Sequence, residues 1–251
     1  MRVYIGRNEL HDDEENAIDM KEFVGPVIIS QNKMYGYLPS SGSNGDAIRG
    51  NDEGVQGDVW ILFNDIWGSS LGIEMFSAAA PNIYIIGNEF HDITTGDARA
   101  ISNSPDLGAA IVRVLYNTFI NVTTAIGTGE AKNNIIQATS IAIGASVVGC
   151  NSNHVQQGSI NVSCVNGASG DPLLTLSGVH VTGLQATSPA IGTALGNHTA
   201  FDTFETAFGL DIRKDRNGVS RPQGAQWDKG CYEFVGAAPS GIAESLLLFI
   251  S

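Results

Sequence analysis

Basic residues are scarce in this chain of 251 residues: 13 Lys and Arg stand against 26 Asp and Glu, a formal net charge of −13. Phosphate backbones are held by clustered Lys and Arg, and no basic tract occurs, which excludes nucleic acid as a partner. A sequence pI near 4.6 suits a soluble protein that meets neutral or cationic partners or uses bound cations. Long apolar runs are missing as well. The longest late one, Leu246 to Ile250, falls far short of the roughly 20 residues a membrane-spanning helix needs, so membrane insertion is not expected. Cysteine is limited to Cys150, Cys164 and Cys231, which form no metal-ligand or redox spacing; one disulfide is compatible with the count and not demanded by it. No secretory leader opens the chain, so the expectation is a cytoplasmic protein or a segment that begins inside a longer one. Helix formers at an apolar period of about 3.6 are absent over any long stretch. With 30 glycines and only 16% charged residues, a helical bundle is excluded.

What the chain does contain is a repeat. A short phrase recurs as Arg7-Asn8-Glu9-Leu10-His11-Asp12, Gln31-Asn32-Lys33-Met34-Tyr35-Gly36, Phe63-Asn64-Asp65-Ile66-Trp67-Gly68, Gly87-Asn88-Glu89-Phe90-His91-Asp92 and Tyr116-Asn117-Thr118-Phe119-Ile120-Asn121. Its asparagines lie 24, 32, 24 and 29 residues apart. Each phrase follows a β-rich run, such as Val27-Ile28-Ile29 or Val59-Trp60-Ile61-Leu62, and is trailed by Ala17-Ile18, Ala47-Ile48, Gly72-Ile73, Ala100-Ile101 or Ala125-Ile126. Period and content together specify a solenoid. Helical repeats and leucine-rich repeats lack their consensus here. The remaining architecture is an all-β coil of short parallel strands whose rungs lie about 4.8 Å apart, so five rungs give a rod of about 24 Å.

This assigns physical roles to the repeated residues. Asparagine tolerates the left-handed region at a sharp turn, and stacked side-chain amides can bond to one another along the rod. Leu10, Met34, Ile66, Phe90 and Phe119 form one interior column, and Ile18, Ile48, Ile73, Ile101 and Ile126 another. From Asn133 the pattern blurs, and residues 137–185 read as distorted rungs or as a packed sheet. The expected division is rungs over 1–187, regular to 130 and irregular over 131–187, followed by a closing segment, 188–251. That segment should cover the open edge of the last rung, with Trp227, Cys231 and Tyr232 buried against it. Val3 to Asn8 reads as an interior rung, so upstream rungs or a partner domain are expected over residues 1–8.

Asn82-Ile83-Tyr84-Ile85-Ile86-Gly87-Asn88-Glu89-Phe90-His91 and Glu15-Asn16-Ala17-Ile18-Asp19-Met20-Lys21 resemble right-handed parallel β-helix proteins of the pectate-lyase-like superfamily. The resemblance extends to Ser188-Pro189-Ala190-Ile191-Gly192, to Asp215–Pro222 and to Asp228-Lys229-Gly230-Cys231-Tyr232-Glu233, which look like the usual finish of such chains. It covers residues 3–126 and 188–233 well. It implies a right-handed parallel β-helix, a polysaccharide partner, acidic or neutral, and an extracellular, cell-surface or virion-borne location. It does not fix an activity, because the superfamily contains lyases, hydrolases, epimerases, tailspikes and binding proteins.

Outward positions next to the isoleucine column give Asp19, Arg49 and Glu74, with Lys21 two residues past Asp19 and with Asp46 and Arg99 at the loop side. The column reads either as a surface ion ladder or as the site of a lyase. In the latter, Lys21 or Arg49 abstracts the proton α to a uronate carboxylate, Asp19, Glu74 and Arg99 bind substrate, and Ca²⁺ offsets the developing charge. Candidate calcium ligands are Asp46 and, in the acidic run Asp12 to Glu15, Asp12 and Asp13; the run also reads as a solvated loop. Asp19 and Glu74, two rungs and about 9.6 Å apart, approach the spacing of an inverting glycosidase. Arg49 between them would depress both pKa values, which ranks hydrolase below lyase. His11, Tyr35, Trp67 and His91 share one phrase position and read either as an aromatic stack or, through His11, Trp67 and His91, as a surface for sugar rings. A third reading of the whole chain is a non-catalytic carbohydrate-binding or adhesive segment. Arg221, with Asp215, Asn217, Gly218 and Asp228, reads as structural, its guanidinium holding a carboxylate.

Overall fold

The structure, a computed structural model, describes residues 2–21, 24–50, 57–75, 82–102 and 111–236; the run Leu246 to Ile250 lies outside them. Strand pairing falls into three parallel ladders that follow one another around each turn of the coil. Sheet A stacks Val3–Gly6, Val27–Ser30, Val59–Leu62, Asn82–Ile86 and Ile111–Leu115. Sheet B stacks Glu9–His11, Lys33–Tyr35, Asp65–Trp67 and Glu89–Ile93. Sheet C stacks Ile18–Met20, Asp46–Gly50, Leu71–Met75 and Arg99–Ile101. The chain is a parallel β-helix, and both predicted interior columns are in register from Leu10↔Met34 to Phe90↔Phe119 and from Ile18↔Ile48 to Ile101↔Ile126.

The coil continues where the sequence pattern blurs. Thr118–Lys132 serves all three sheets without a break, and Ile135–Asn151 pairs along it. The ladder asparagines there, Asn117, Asn134 and Asn153, are only 17 and 19 residues apart. Loops have shrunk to bends, so the repeat shortens and its register is lost to the eye while the stack persists. His154–Ile160, Cys164–Val165 and Ala168–Ser169 add the last pairings, with a Cys150–Cys164 disulfide tying adjacent rungs. Leu174–Ser177 and His180–Leu184 then pair antiparallel and leave the coil.

Seven asparagines, 8, 32, 64, 88, 117, 134 and 153, form a continuous ladder. Each backbone N–H and each Nδ2 of one donates to Oδ1 of the next at 2.8–3.1 Å. The left-handed residue is not the asparagine, as expected, but the one before it. Arg7, Gln31, Phe63, Gly87, Tyr116, Asn133 and Ser152 all have φ between 55° and 68°. The turn completed one residue early leaves the asparagine inside the corner, where Nδ2 also donates to a carbonyl of the preceding turn, as Asn64 does to Ile29.

The described part of the closing segment, residues 188–236, does not sit on the last rung. It lies along the flank of the rod, because the outer face of sheet A is itself apolar. Ile28, Trp60, Leu62, Tyr84, Ile86, Leu115 and Tyr116 point away from the interior and are covered by Ala194, Phe201, Phe204, Ile212 and Trp227. Trp60 stacks on Tyr84 at 3.6 Å and meets Phe204 edge-on at 5.0 Å. The covering helix, Thr199–Phe208, is capped by the His198 ring, which accepts from the Ala200 N–H, and ends at Gly209 with φ 69°. Strands apolar at every position are buried on both faces, which is the reason the segment takes the side rather than the end. Cys231 and Tyr232 likewise face sheet B: the Cys231 N–H donates to Thr118 Oγ1 at 3.0 Å. Arg221 holds Glu233 at 2.9 Å and the carbonyls of Asp228 and Gly230, the structural role expected of it.

Candidate functional site

Two polar clusters occupy outer faces of the coil. On sheet C, strand register places Asp19, Arg49 and Glu74 in one column. Arg49 Nη1 reaches Asp46 Oδ2 at 3.3 Å and Glu74 Oε2 at 3.6 Å. Glu74 is further held by Asn44 Nδ2 and Ser102 Oγ, each at 3.3 Å. Asp46 is fully buried, and its Oδ1 has no hydrogen-bond partner among the described residues. Burial, reinforced by the negative charge of Glu74 and only partly offset by Arg49, pushes the Asp46 carboxyl up to about 7. It is therefore a carboxyl that exchanges its proton near neutrality. Lys21 lies 3.3 Å from Asp19, both solvent-accessible. Arg99 shares the column of Asp46, in register with Leu71 one rung below, and is not part of the cluster.

On sheet B, the residues flanking the ladder asparagines and the aromatic column come together with the closing segment. Arg216 bridges Asp65 Oδ2 at 2.9 Å and Glu89 Oε2 at 2.6 Å. Glu89 Oε2 also accepts from the Tyr232 hydroxyl at 2.9 Å, and Oε1 from the Val181 N–H at 2.8 Å. His91 is buried, with Nε2 3.5 Å from Asp65 Oδ1 and Nδ1 3.1 Å from Asp92 Oδ2. His180, carried by the antiparallel hairpin, places Nδ1 3.2 Å from Asp65 Oδ2. Burial alone would raise Asp65 and lower His91. Contacts with His91 and Arg216 instead hold Asp65 below the usual carboxylate range, and Asp65 and Asp92 lift His91 above the usual imidazole range. Burial dominates at Glu89, which is raised despite Arg216.

The aromatic column is a stack. His11 lies on Tyr35 at 4.8 Å, Tyr35 on Trp67 at 4.2 Å and Trp67 on His91 at 5.3 Å, all within 14° of parallel. The ring faces are thus occupied by one another, and Trp67 and His91 present no free face to a sugar. Of the predicted calcium ligands, Asp12 is exposed and bonds His11 at 2.8 Å, Asp13 caps the Glu14 N–H at 2.7 Å, and Asp46 belongs to the Arg49 cluster. These three do not assemble. Among the described residues, the group whose ligating atoms do converge, all within 4.8 Å of one another, is Asp65, Glu89, His91 and His180. Of these, only His91 was legible as a site residue in advance. Asp65 and Glu89 could have been found as charged residues recurring directly after a ladder asparagine. His180 and Arg216 come from outside the repeat and carry no periodic signal.

No protein family, curated protein or solved structure matches this chain.

Proposed function

We propose that the chain is a polysaccharide-processing β-helix of the pectate-lyase-like kind, and that the sheet C cluster cleaves a uronate-containing glycan by β-elimination. The observation that carries this reading is Asp46: a buried carboxyl titrating near 7, in contact with a guanidinium and a second carboxylate on a face lined by Lys21 and Asp19. β-Elimination needs a base for the proton α to the carboxylate, a cation for the enolate that develops, and an acid for the departing glycosidic oxygen. Lys21 is the candidate base. Arg49, held between two carboxylates, is suited to neutralise a uronate rather than to accept a proton, which revises its expected role. Asp46 is fully buried, so water protonates the departing oxygen, and a protonated Asp46 draws less on the Arg49 charge that meets the uronate. Inverting hydrolysis by Asp19 and Glu74 fits less well, since Arg49 stands in register between the two and reaches Glu74 at 3.6 Å, where the attacking water would need room. The cross-rung disulfide accords with an extracellular or cell-surface setting.

The test is incubation with pectate, alginate, glucuronan and glycosaminoglycan panels, with and without Ca²⁺, following ultraviolet absorbance of the unsaturated uronate and reducing ends. The expected result is absorbance gained by the native chain and lost in Lys21→Ala and Arg49→Ala. A flat response in both assays across the panel sinks the enzymatic reading and leaves a non-catalytic binding segment, which the full burial of Asp46 would then suit.

A further inference from the structure

The sheet B cluster contains three side-chain atoms that are buried and lack any hydrogen-bond partner among the described residues: Asp65 Oδ1, His91 Nε2 and His180 Nδ1. Buried polar atoms are almost always partnered, and three orphans facing one another mark a missing common partner. His91 is 1% exposed and Asp65 4%. The contacts at 3.5 Å and 3.2 Å lack hydrogen-bond alignment. They fit a different partner. A tetrahedral dication with bonds of about 2.0–2.1 Å holds its ligand atoms about 3.3 Å apart; His91 Nε2 stands 3.5 Å from Asp65 Oδ1, and one ligating atom from each of Asp65, His91 and His180 lies within 4.8 Å of the others.

We propose that Asp65, His91 and His180 bind a divalent transition-metal ion, with zinc as the best match. The surrounding contacts support each ligand. Asp92 Oδ2 accepts from His91 Nδ1 at 3.1 Å, which fixes the tautomer and leaves the Nε2 lone pair directed at the centre, the carboxylate–histidine–metal arrangement. Arg216 takes the other oxygen of Asp65, and Arg216, Tyr232 and the Val181 N–H saturate Glu89. Glu89 is therefore a positioning residue that holds Arg216 and the hairpin in place. Asp65, Glu89 and Asp92 against the single guanidinium of Arg216 leave an excess of carboxylates to receive the dication. Two imidazole nitrogens and one carboxylate oxygen favour Zn²⁺ and its neighbours over Ca²⁺ or Mg²⁺, which take oxygen cages. Three protein ligands leave a fourth position for water or a substrate oxygen, and His180, the most exposed of the three, places it at the solvent side.

This inference is independent of the sheet C reading. The full chain, stripped with a chelator, is titrated with Zn²⁺ by calorimetry and with Co²⁺ as a spectroscopic probe. The expected result is one ion per chain, visible d–d bands typical of tetrahedral Co²⁺, and loss of those bands on adding Zn²⁺ but not Ca²⁺. His91 sits in the aromatic stack, so its removal would confound binding with folding; His180→Ala, on the hairpin, and Asp92→Asn carry the test, with thermal melting of the metal-free proteins as the folding check. His180→Ala should weaken binding at least about 100-fold and Asp92→Asn about 10–100-fold. No saturable Zn²⁺ binding, an unchanged Co²⁺ spectrum in His180→Ala, or equal competition by Ca²⁺ would each overturn the proposal.

Discussion

Replacing Asn88 by alanine tests whether the asparagine ladder holds the coil together. Its Oδ1 accepts from the Asn64 N–H at 2.8 Å and from Asn64 Nδ2 at 3.0 Å; its Nδ2 donates to Ile61 O at 2.9 Å and Asn117 Oδ1 at 3.0 Å. After truncation Asn64 Nδ2 still has Ile29 O, and Asn117 Oδ1 still has the Asn88 N–H. The Asn64 N–H is left with nothing. The buried orphan costs about 1–3 kcal/mol and each of the three other forfeited bonds about 0.5–1.5 kcal/mol, so the expected loss is about 3–7 kcal/mol. That is a large fraction of the roughly 5–15 kcal/mol that domains possess. Asn8→Ala, at the exposed end of the ladder, should cost less than about 1 kcal/mol, because water replaces what it loses. Asn88→Asp keeps the acceptor for Asn64 but turns the Nδ2 donor into an oxygen facing Ile61 O, so it should be at least as damaging as alanine. Urea denaturation followed by tryptophan fluorescence reads these differences as midpoint shifts at constant slope. A loss below about 1 kcal/mol for Asn88→Ala, or equality with Asn8→Ala, would refute the ladder as a stabilising element.

The raised Asp46 carboxyl fixes the sign of a pH effect. Between its unfolded pKa near 3.8 and its folded value of about 7 the native state holds the extra proton, so stability should fall as pH rises through that window and level off above it. Asp46→Asn should flatten this dependence, by at most about 4 kcal/mol over the window, as read from urea midpoints at stepped pH. Trp60→Ala removes the buried ring between Tyr84 and Phe204 and should cost about 3–5 kcal/mol, with faster hydrogen exchange in the helix Thr199–Phe208 than in sheet C. Replacing Cys150 and Cys164 by serine opens a loop with a sequence separation of 14, worth about 3 kcal/mol, and should lower the melting temperature to that of the reduced native protein.

The coil was legible because a solenoid writes its contacts as a period. Residues that touch on neighbouring rungs recur at the same place in each phrase, so Phe90 against Phe119 or Ile48 against Ile73 could be registered from letters alone. Where loops disappeared between Asn117 and Asn153, the same physics gave a shorter period, and letter-matching at 24–32 residues lost it. The side-mounted closing segment had a signal that was in plain view. Val59-Trp60-Ile61-Leu62 is apolar on both faces of a strand, which only a two-sided cover satisfies. The Asp46–Arg49–Glu74 contact was half legible: register gave Arg49 beside Glu74, but nothing periodic placed Asp46 against them or foretold its burial.

Arg216 and Tyr232 lie 127 and 143 residues beyond Glu89, and His180 lies 115 residues beyond Asp65; none of them belongs to a repeat. Their role follows from a constraint that stacking imposes. Each outward position of a parallel coil has its counterparts about 4.8 Å above and below, so any acidic residue repeated on consecutive rungs faces its own kind. Asp65 and Glu89 do so while buried. Such a pair persists only if something outside the column brings positive charge to it. Arg216 brings one charge, shared between two carboxylates, and Asp92 adds a third carboxylate against His91. In the sheet C column the alternation Asp19, Arg49, Glu74 resolves the same conflict inside the repeat, and Asp46 answers the surplus carboxylate by keeping its proton. One face thus settles its charge with a proton and the other is left with a deficit that a cation would fill, so the two clusters should respond differently to pH and to metal.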